Sequence, residues 1–243
     1  MRSSFFWAVA GIGLLLAPAS LNAAPRSRTA DVEQIMAPAG FDDNDILEVV
    51  LYGHYPNSCF DVGSTSFTID RDKRAIVIDA TVVEHNDRVC AQAIVPYIIP
   101  VRLGQVEAGN WQVSMLHQPN ISTIVTVTPA PTEQQDDDLF APISEARLVS
   151  LDGEQFVTLE GIYPYMIRGC MRLREVRTFV SPREVLVVLP IADMLREESC
   201  QGEERAFKRS FKLPEPFAGG LLHVRSLGGQ SIDRLTEDFD AGL

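Results

Sequence analysis

The stretch GHYPNSC, residues 53–59, is written a second time with changes as GIYPYMIRGC, residues 161–170. The glycine, tyrosine and proline return at an offset of 108, and both stretches end in a cysteine. Further along, Cys90 and Cys200 correspond at an offset of 110. An ordered series of matches with small gaps is typical of an internal repeat. We therefore expect one structural unit that is used twice.

Each copy is a series of short segments rich in Val, Ile, Thr and aromatic residues, separated by turn residues. Segments 75–83 and 185–191 are dense in β-branched residues, as a buried central strand would be. Helical spacing is confined to one turn near Ile35 and a short amphipathic tail near Leu235. Short strands at even spacing with almost no helix predict an all-β chain of two sandwiches.

The expected organisation follows from the repeat and from the composition between its copies. A run of prolines brackets three consecutive aspartates, which is typical of a stiff, hydrated linker. The predicted parts are a signal peptide at 1–24, an N-terminal arm at 25–44, a first β-sandwich domain at 45–128, a Pro/Asp-rich linker at 129–144, a second β-sandwich domain at 145–228 and a C-terminal tail at 229–243.

The first residues have the three parts of a secretory signal. Arg2 supplies the positive start, an apolar run follows, and small residues at Ala23 and Ala24 offer a cleavage site. The apolar run is too short to cross a bilayer, which takes about twenty residues. We expect a cleaved signal peptide and a periplasmic or secreted chain with no transmembrane segment after cleavage.

The charge of the chain limits its partners. It has 33 acidic and 21 basic side chains, a formal net charge of −12. Because Arg2 is the only charged residue in 1–24, cleavage changes this value to −13. Such acidity argues against general attraction to nucleic acid or to anionic lipid.

Four cysteines in an exported chain predict disulfides. Cys59 and Cys90 are 31 residues apart, and Cys170 and Cys200 are 30 apart, so we expect one bridge in each half. A zinc site made of cysteines would need closely spaced pairs, which the sequence lacks.

The segment LGQVEAGNWQV, residues 103–113, resembles the corner before a late strand in immunoglobulin-like sandwiches. Trp111 takes the place of the tyrosine usually found there, and Leu221 is its counterpart in the second half. The resemblance implies two tandem immunoglobulin-like β-sandwich domains of a bacterial exported protein. It carries no functional residue, and the cysteine spacing differs from the inter-sheet bridge of antibody domains.

The GHYPNSC stretch has two interpretations. It is a binding loop in which His54 and Tyr55 contact a ligand, with Tyr163 as the counterpart, or it is a strand end fixed by a disulfide. The second copy keeps Gly, Tyr, Pro and Cys but replaces His54 with Ile162. The retained residues are explained by turn and cysteine chemistry, which favours the structural interpretation.

A basic face is the one charged cluster that suggests binding. We expect a disulfide in the second half to bring together two basic segments that could bind an anion or an acidic partner. Its candidate residues are Arg168, Arg172, Arg174, Lys208 and Lys212. The alternative is that these charges protect edge strands from aggregation.

No catalytic motif of the common hydrolase, metalloprotease or nucleotide-binding types occurs in the sequence. The four histidines are isolated, and the acidic runs lack the spacing of calcium loops. We therefore assign no catalytic residue, metal or cofactor.

The sequence favours an exported, non-enzymatic binding or assembly protein of the bacterial cell envelope, which presents loops or edge strands to a protein partner. One alternative is a periplasmic protein similar to the two-domain chaperones of surface fibres, which lend a strand to their clients. The other is an envelope hydrolase with its site between the two domains.

Overall fold

The computed structural model describes residues 24–165, 169–181, 184–195 and 206–236, which form β-strands and no α-helix. The strands of the first half are β1 Arg26–Thr29, β2 Gln34–Met36, β3 Phe41–Asp42, β4 Leu47–Tyr55, β5 Phe60–Asp70, β6 Ala75–Glu84, β7 Val95–Gly104, β8 Gly109–Met115 and β9 Ser122–Thr128. Those of the second half are β10 Ile143–Leu151, β11 Glu154–Ile162, β12 Met171–Ser181, β13 Val185–Met194, β14 Ala206–Lys212, β15 Leu221–Ser226 and β16 Gln230–Leu235.

The first half is a β-sandwich. Its outer sheet contains β1, β3, β5, β6, β8 and β9, and its inner sheet contains β2, β4 and β7. Alternate side chains of each strand point between the sheets. Val49 and Leu51 of the inner sheet share one buried core with Ile76, Ile78 and Trp111 of the outer sheet.

The second half is built in the same way. Its inner sheet contains β12, β13, β15 and β16, and its outer sheet contains β10, β11 and β14. Val157 and Leu159 of the outer sheet share a core with Leu186, Val188 and Leu222 of the inner sheet.

The strand pairings of the two halves follow the same order. The antiparallel set β2–β4–β7 corresponds to β10–β11–β14, and the β5–β6 hairpin corresponds to β12–β13. Each hairpin has a register shift in its first strand. The parallel pair β6–β8 corresponds to β13–β15, and each is followed by an antiparallel neighbour. The expectation of an all-β chain built from several sheets with a β-sandwich is confirmed.

The two inner sheets pack against each other through a third apolar cluster. Met36, Val50 and Tyr52 of the first inner sheet meet Val187 and Leu221 of the second. The inner strands β4, β13 and β15 are therefore covered on both faces, which explains their nearly continuous apolar sequences. The described residues form four stacked sheets with three apolar layers between them.

The predicted arm, linker and tail each contribute residues to the sheets. The arm at 25–44 supplies β1, β2 and β3, and the tail from 229 supplies β16. In the linker at 129–144, Phe140 pairs with Ile191, and β10 begins before the linker's predicted end. The helical turn expected near Ile35 and the helical tail expected near Leu235 are both strands, because tertiary pairing outweighs weak local periodicity.

Two of the four sheets are mixed, which separates them from an immunoglobulin-like sandwich of two antiparallel sheets. Pairs β3–β9, β6–β8 and β13–β15 are parallel. The corner that carried the resemblance is nevertheless a tight turn, in which the Trp111 indole N–H donates to the Glu107 carbonyl oxygen at 2.7 Å.

Cys59 and Cys90 form a disulfide, as the sequence predicts, with their Cα atoms 5.3 Å apart. Cys170 is also disulfide-bonded, whereas Cys200 lies outside the described residues. The predicted signal peptide lies outside them too, except Ala24. The described part of the chain contains no helix of sufficient length and apolarity to span a membrane. The disulfide is consistent with an oxidising compartment.

Candidate functional site

An open cleft of about 440 Å³ lies where β4 ends, at the predicted GHYPNSC loop. Its lining is mainly aromatic and aliphatic, and includes Tyr55, Pro56, Phe60, Ile94 and Tyr97. Apolar walls with a few polar groups are typical of ligand-binding clefts.

Three aromatic rings form the wall of the cleft. Tyr55 stacks on Tyr97 with ring centroids 4.3 Å apart and on Phe60 at 5.7 Å. The Tyr97 hydroxyl donates a 2.5 Å hydrogen bond to the Asp31 carbonyl oxygen, and burial raises the pKa of Tyr97. Gly53 makes this possible, since a Cβ there would lie 2.7 Å from the Tyr97 hydroxyl oxygen.

The second half has a similar pair of aromatic rings, but its tyrosine hydroxyl is hydrogen-bonded. Phe207 crosses Gly161 and packs on Tyr163 at 5.0 Å between centroids. The Tyr163 hydroxyl accepts a hydrogen bond from the Leu173 backbone N–H at 3.2 Å. The Tyr55 hydroxyl is buried with no hydrogen-bond partner in the described part of the chain. The glycine and the tyrosine have similar surroundings in the two halves, which differ in the hydrogen bonding of the tyrosine hydroxyl.

His54, predicted as a loop contact, lies at the cleft but is held by neighbours. Its Nδ1 is 2.9 Å from a Glu33 carboxylate oxygen and its Nε2 is 3.0 Å from the Tyr52 hydroxyl oxygen. Because both ring nitrogens are engaged, His54 fixes the strand end rather than offering a free base. Ile162, its counterpart, is 63% exposed.

The far side of the cleft is a loop, residues 85–94, that the Cys59–Cys90 disulfide anchors. The Ser58 backbone N–H donates to the Ala91 carbonyl oxygen at 3.2 Å, and the Ala91 N–H donates to the Ser58 hydroxyl oxygen at 2.9 Å. The loop holds Ile94 with 74% of its surface exposed. A loop fixed in advance loses little entropy when it binds.

The predicted basic face is divided between two sheets. Arg172 and Arg174 lie on β12 of the second inner sheet and contact Asp193 at 3.7 and 2.9 Å. Lys208 and Lys212 lie on β14 of the outer sheet, where Lys208 contacts Glu160 at 2.6 Å. Lys212 pairs with Glu154, and Arg168 lies outside the described residues. Each of the four candidate basic residues that the structure describes has an acidic partner. This pairing weakens the case for an anion site.

A second group of functional candidates lies buried between the inner sheets. On β15, Leu221, His223 and Arg225 alternate and so point toward the first half, while Leu222 and Val224 point into the second core. Arg225 donates to Asp45 at 2.9 Å and lies over the Phe41 ring, 4.3 Å from its centroid.

His223 meets carboxylates from both halves. Its Nδ1 is 2.8 Å from Asp233 of β16 and 3.7 Å from Glu48 of β4. The Ser231 hydroxyl donates to Glu48 at 2.6 Å. Burial, and then the nearby Asp233, raises the pKa of Glu48.

Sequence reasoning treated His223 as isolated, because its partners come from strands remote in the chain. The sequence does contain one sign of this cluster: polar residues interrupt strands that are otherwise apolar, as in LEVVL around Glu48 and LLHVR around His223. A strand covered on both faces must bury such residues.

The space between the inner sheets is too small for a substrate. A cavity of about 20 Å³ adjoins Glu48, His223 and Arg225, which is room for about one water molecule. The hydrolase alternative expected a site between the two domains. An open cavity of about 250 Å³ is lined by residues of both halves, including Ala39 and Ser181, but none of its described lining residues is a histidine, a carboxylate or another titratable group.

The comparisons with known proteins concern the first half. A family described as the ORF11 beta-sandwich domain matches residues 49–126, which run from β4 into β9. This part of the chain is similar to that family, in agreement with its sandwich architecture. No curated protein and no solved structure matches the chain significantly.

Proposed function

We propose that the chain is an exported, non-enzymatic binding protein of the bacterial cell envelope whose cleft beside Tyr55 receives an extended segment of a partner protein. The observation that carries this proposal is a preformed cleft walled by the stacked rings of Tyr55, Tyr97 and Phe60. A bound segment would supply an apolar side chain to the cleft.

The chemistry of the cleft favours a protein segment with a large apolar side chain. Stacked rings offer a flat apolar surface, and aromatic side chains dominate the energy of many protein interfaces. The exposed Ile94 on the disulfide-anchored loop extends this surface to the rim. The net charge of −12 favours partners that carry basic residues near the apolar one.

Binding through the cleft is better supported than strand addition at the neighbouring edge. Strand β7 lies at the edge of the first inner sheet, where it pairs with β4. Pro96 and Pro100 have no backbone N–H to donate to β4. We therefore place their nitrogens on the side of β7 that faces away from β4. The outward edge therefore lacks two donors that an added strand would need, which disfavours the chaperone-like alternative there.

Export and duplication are part of the proposal. Export is supported by the signal-like residues 1–24 and by the Cys59–Cys90 disulfide. Duplication is supported by the common order of strand pairings and by the glycines that lie opposite an aromatic residue in both halves, Gly53 opposite Tyr97 and Gly161 opposite Phe207.

A displayed library of short random peptides tests the binding proposal. Selection on the purified oxidised protein, followed by depletion on the Ile94→Asp variant, is expected to enrich peptides with one aromatic or branched apolar residue. These peptides should bind the Phe60→Ala variant at least about tenfold more weakly, since part of the stacked aromatic wall is lost.

Ile124→Asp is the matched control, because Ile124 is 68% exposed on β9 and is not part of the cleft lining. Its affinity for the same peptides should equal that of the unchanged protein. Peptides that bind all three variants equally, or a selection that enriches no peptide, would remove the proposal.

A further inference from the structure

The buried junction of the inner sheets brings three potential metal ligands together. Glu48, His223 and Asp233 each offer one ligand atom, and these atoms lie within 4.8 Å of one another. Their side chains are 6%, 1% and 3% exposed. Glu48 belongs to the first half and the other two belong to the second half.

The cluster holds more negative charge than its protein neighbours balance. In the described part of the chain, neither Glu48 nor Asp233 pairs with a lysine or arginine, and Arg225 is bonded to Asp45 instead. Two buried carboxylates without a cation are costly, because burial removes the water that stabilises their charge.

His223 contacts the carboxylates through Nδ1 only. The Nε2 atom of this almost fully buried ring has no hydrogen-bond partner in the described part of the chain. Buried polar atoms are nearly always satisfied, so Nε2 points to a water molecule on another side of the ring than the Nδ1 that faces Asp233 and Glu48. The cavity of about 20 Å³ beside His223 and Glu48 has room for one water.

We propose that Glu48, His223 and Asp233 bind one divalent transition-metal ion of the zinc type, which links the two inner sheets. Tetrahedral zinc with bonds of about 2.1 Å places its ligand atoms about 3.4 Å apart. The distances from His223 Nδ1, 2.8 Å to Asp233 and 3.7 Å to Glu48, bracket this value. A water molecule would complete the four ligands.

The ligand types favour zinc over the common hard cations. One imidazole nitrogen with two carboxylate oxygens suits Zn²⁺, whereas Mg²⁺ and Ca²⁺ prefer sites made of oxygen alone. The two carboxylates would neutralise the ion. Such a bond between halves is structural, and it is independent of the cleft beside Tyr55.

Calorimetric titration of the chelator-treated, oxidised protein with Zn²⁺ tests the site. We expect one ion per chain, no comparable binding of Mg²⁺, and a higher unfolding temperature with zinc. Glu48→Gln should weaken Zn²⁺ binding at least about tenfold. This variant is expected to fold, since it removes a buried charge and keeps an oxygen that can accept the bond from Ser231.

His117→Gln is the control, because His117 is 53% exposed and lies 3.5 Å from Asp79, a histidine–carboxylate pair outside the cluster. It should bind Zn²⁺ like the unchanged protein. X-ray absorption of the zinc form should report one histidine nitrogen among oxygen ligands. Absence of one-to-one binding, equal loss in both variants, or a zinc shell with several histidines would overturn the site.

Discussion

At the residue scale, two equivalent tyrosines have different hydroxyl environments. Tyr163 accepts a hydrogen bond from the Leu173 N–H, whereas the Tyr55 hydroxyl is buried without a partner. Tyr163→Phe should lower the free energy of unfolding by about 1 kcal/mol, because it leaves the Leu173 donor unpaired. Tyr55→Phe should leave that free energy unchanged or raise it. Urea unfolding of both variants measures the difference, and equal losses would contradict the assignment.

We expect Arg225 to contribute strongly to the stability of the fold, unlike the exposed Arg172, which the sequence suggested as a binding residue. Its side chain is 10% exposed and balances the buried Asp45. Arg225→Ala should cost about 3–5 kcal/mol of unfolding free energy, because it leaves a buried charge unpaired. Arg172→Ala, at a 63% exposed side chain, should cost less than about 1 kcal/mol in the same denaturation experiment. Similar costs at both positions would show that the inner sheets do not bury this pair.

At the element scale, the glycines of the two repeated stretches allow an aromatic ring to cross their strand. A Cβ at Gly53 would lie 2.4 Å from the Asp31 carbonyl oxygen, and one at Gly161 would lie 2.0 Å from the Pro142 carbonyl oxygen. Gly53→Ala and Gly161→Ala should each lower the unfolding free energy by about 1–3 kcal/mol through overcrowding. Thermal and urea unfolding test this.

Gly104→Asn is the control for these glycines. The position has a φ of +79° and no neighbouring atom within 4 Å of an added Cβ. Asparagine tolerates this left-handed conformation, so its cost should stay below about 1 kcal/mol. A cost at Gly53 no greater than at Gly104 would contradict the crossing-ring explanation.

The elements were predictable where the sequence carries a local signal. Segments 75–83 and 185–191 are the central strands β6 and β13, and the spacing of Cys59 and Cys90 gave the correct disulfide. The strands in the N-terminal arm were not predictable, since β1 and β3 gain their stability from pairing with β6 and β9 far along the chain. Parallel pairing also left no local signature.

At the scale of the whole molecule, the stacking of the inner sheets was missed, although the sequence contains a trace of it. Strand β4 has apolar residues on both faces, which a sandwich exposed to water on one side does not need. The cleft was located in part, at His54 and Tyr55, but Phe60, Ile94 and Tyr97 reach it through tertiary folding. Long-range pairing decides which of these residues meet.

The inner interface should also give the molecule a characteristic pH dependence. Burial raises the pKa values of Asp42, Asp45 and Asp136, whose folded-state values therefore lie above the ordinary value of 3.8, and Arg225 opposes the shift for the last two. At pH values above 3.8, the folded state therefore binds more protons at these aspartates than the unfolded state does. The unfolding free energy in chelator should rise as the pH falls from about 7 to about 5.

Urea unfolding at several pH values measures this trend. Asp42→Asn should reduce the slope, because it removes one raised pKa and keeps an oxygen that can accept from the Asn44 and Asp45 N–H groups. The lowered pKa values of the exposed Asp70, Glu107 and Glu160 affect stability only at lower pH. A stability that falls steadily from pH 7 to pH 5 would contradict burial of the aspartates.

The proposal that the cleft beside Tyr55 receives a segment of a partner protein is tested most directly by photocrosslinking in cells that express the chain. A photoreactive amino acid is placed at Ile94, on the rim of the cleft, or at Ile162, the exposed position beside Tyr163 in the second half. The account predicts a covalent adduct with one defined segment of a partner protein from position 94, lost with Phe60→Ala, and none from position 162. Equal adducts from both positions, or an adduct from position 162 alone, would contradict it.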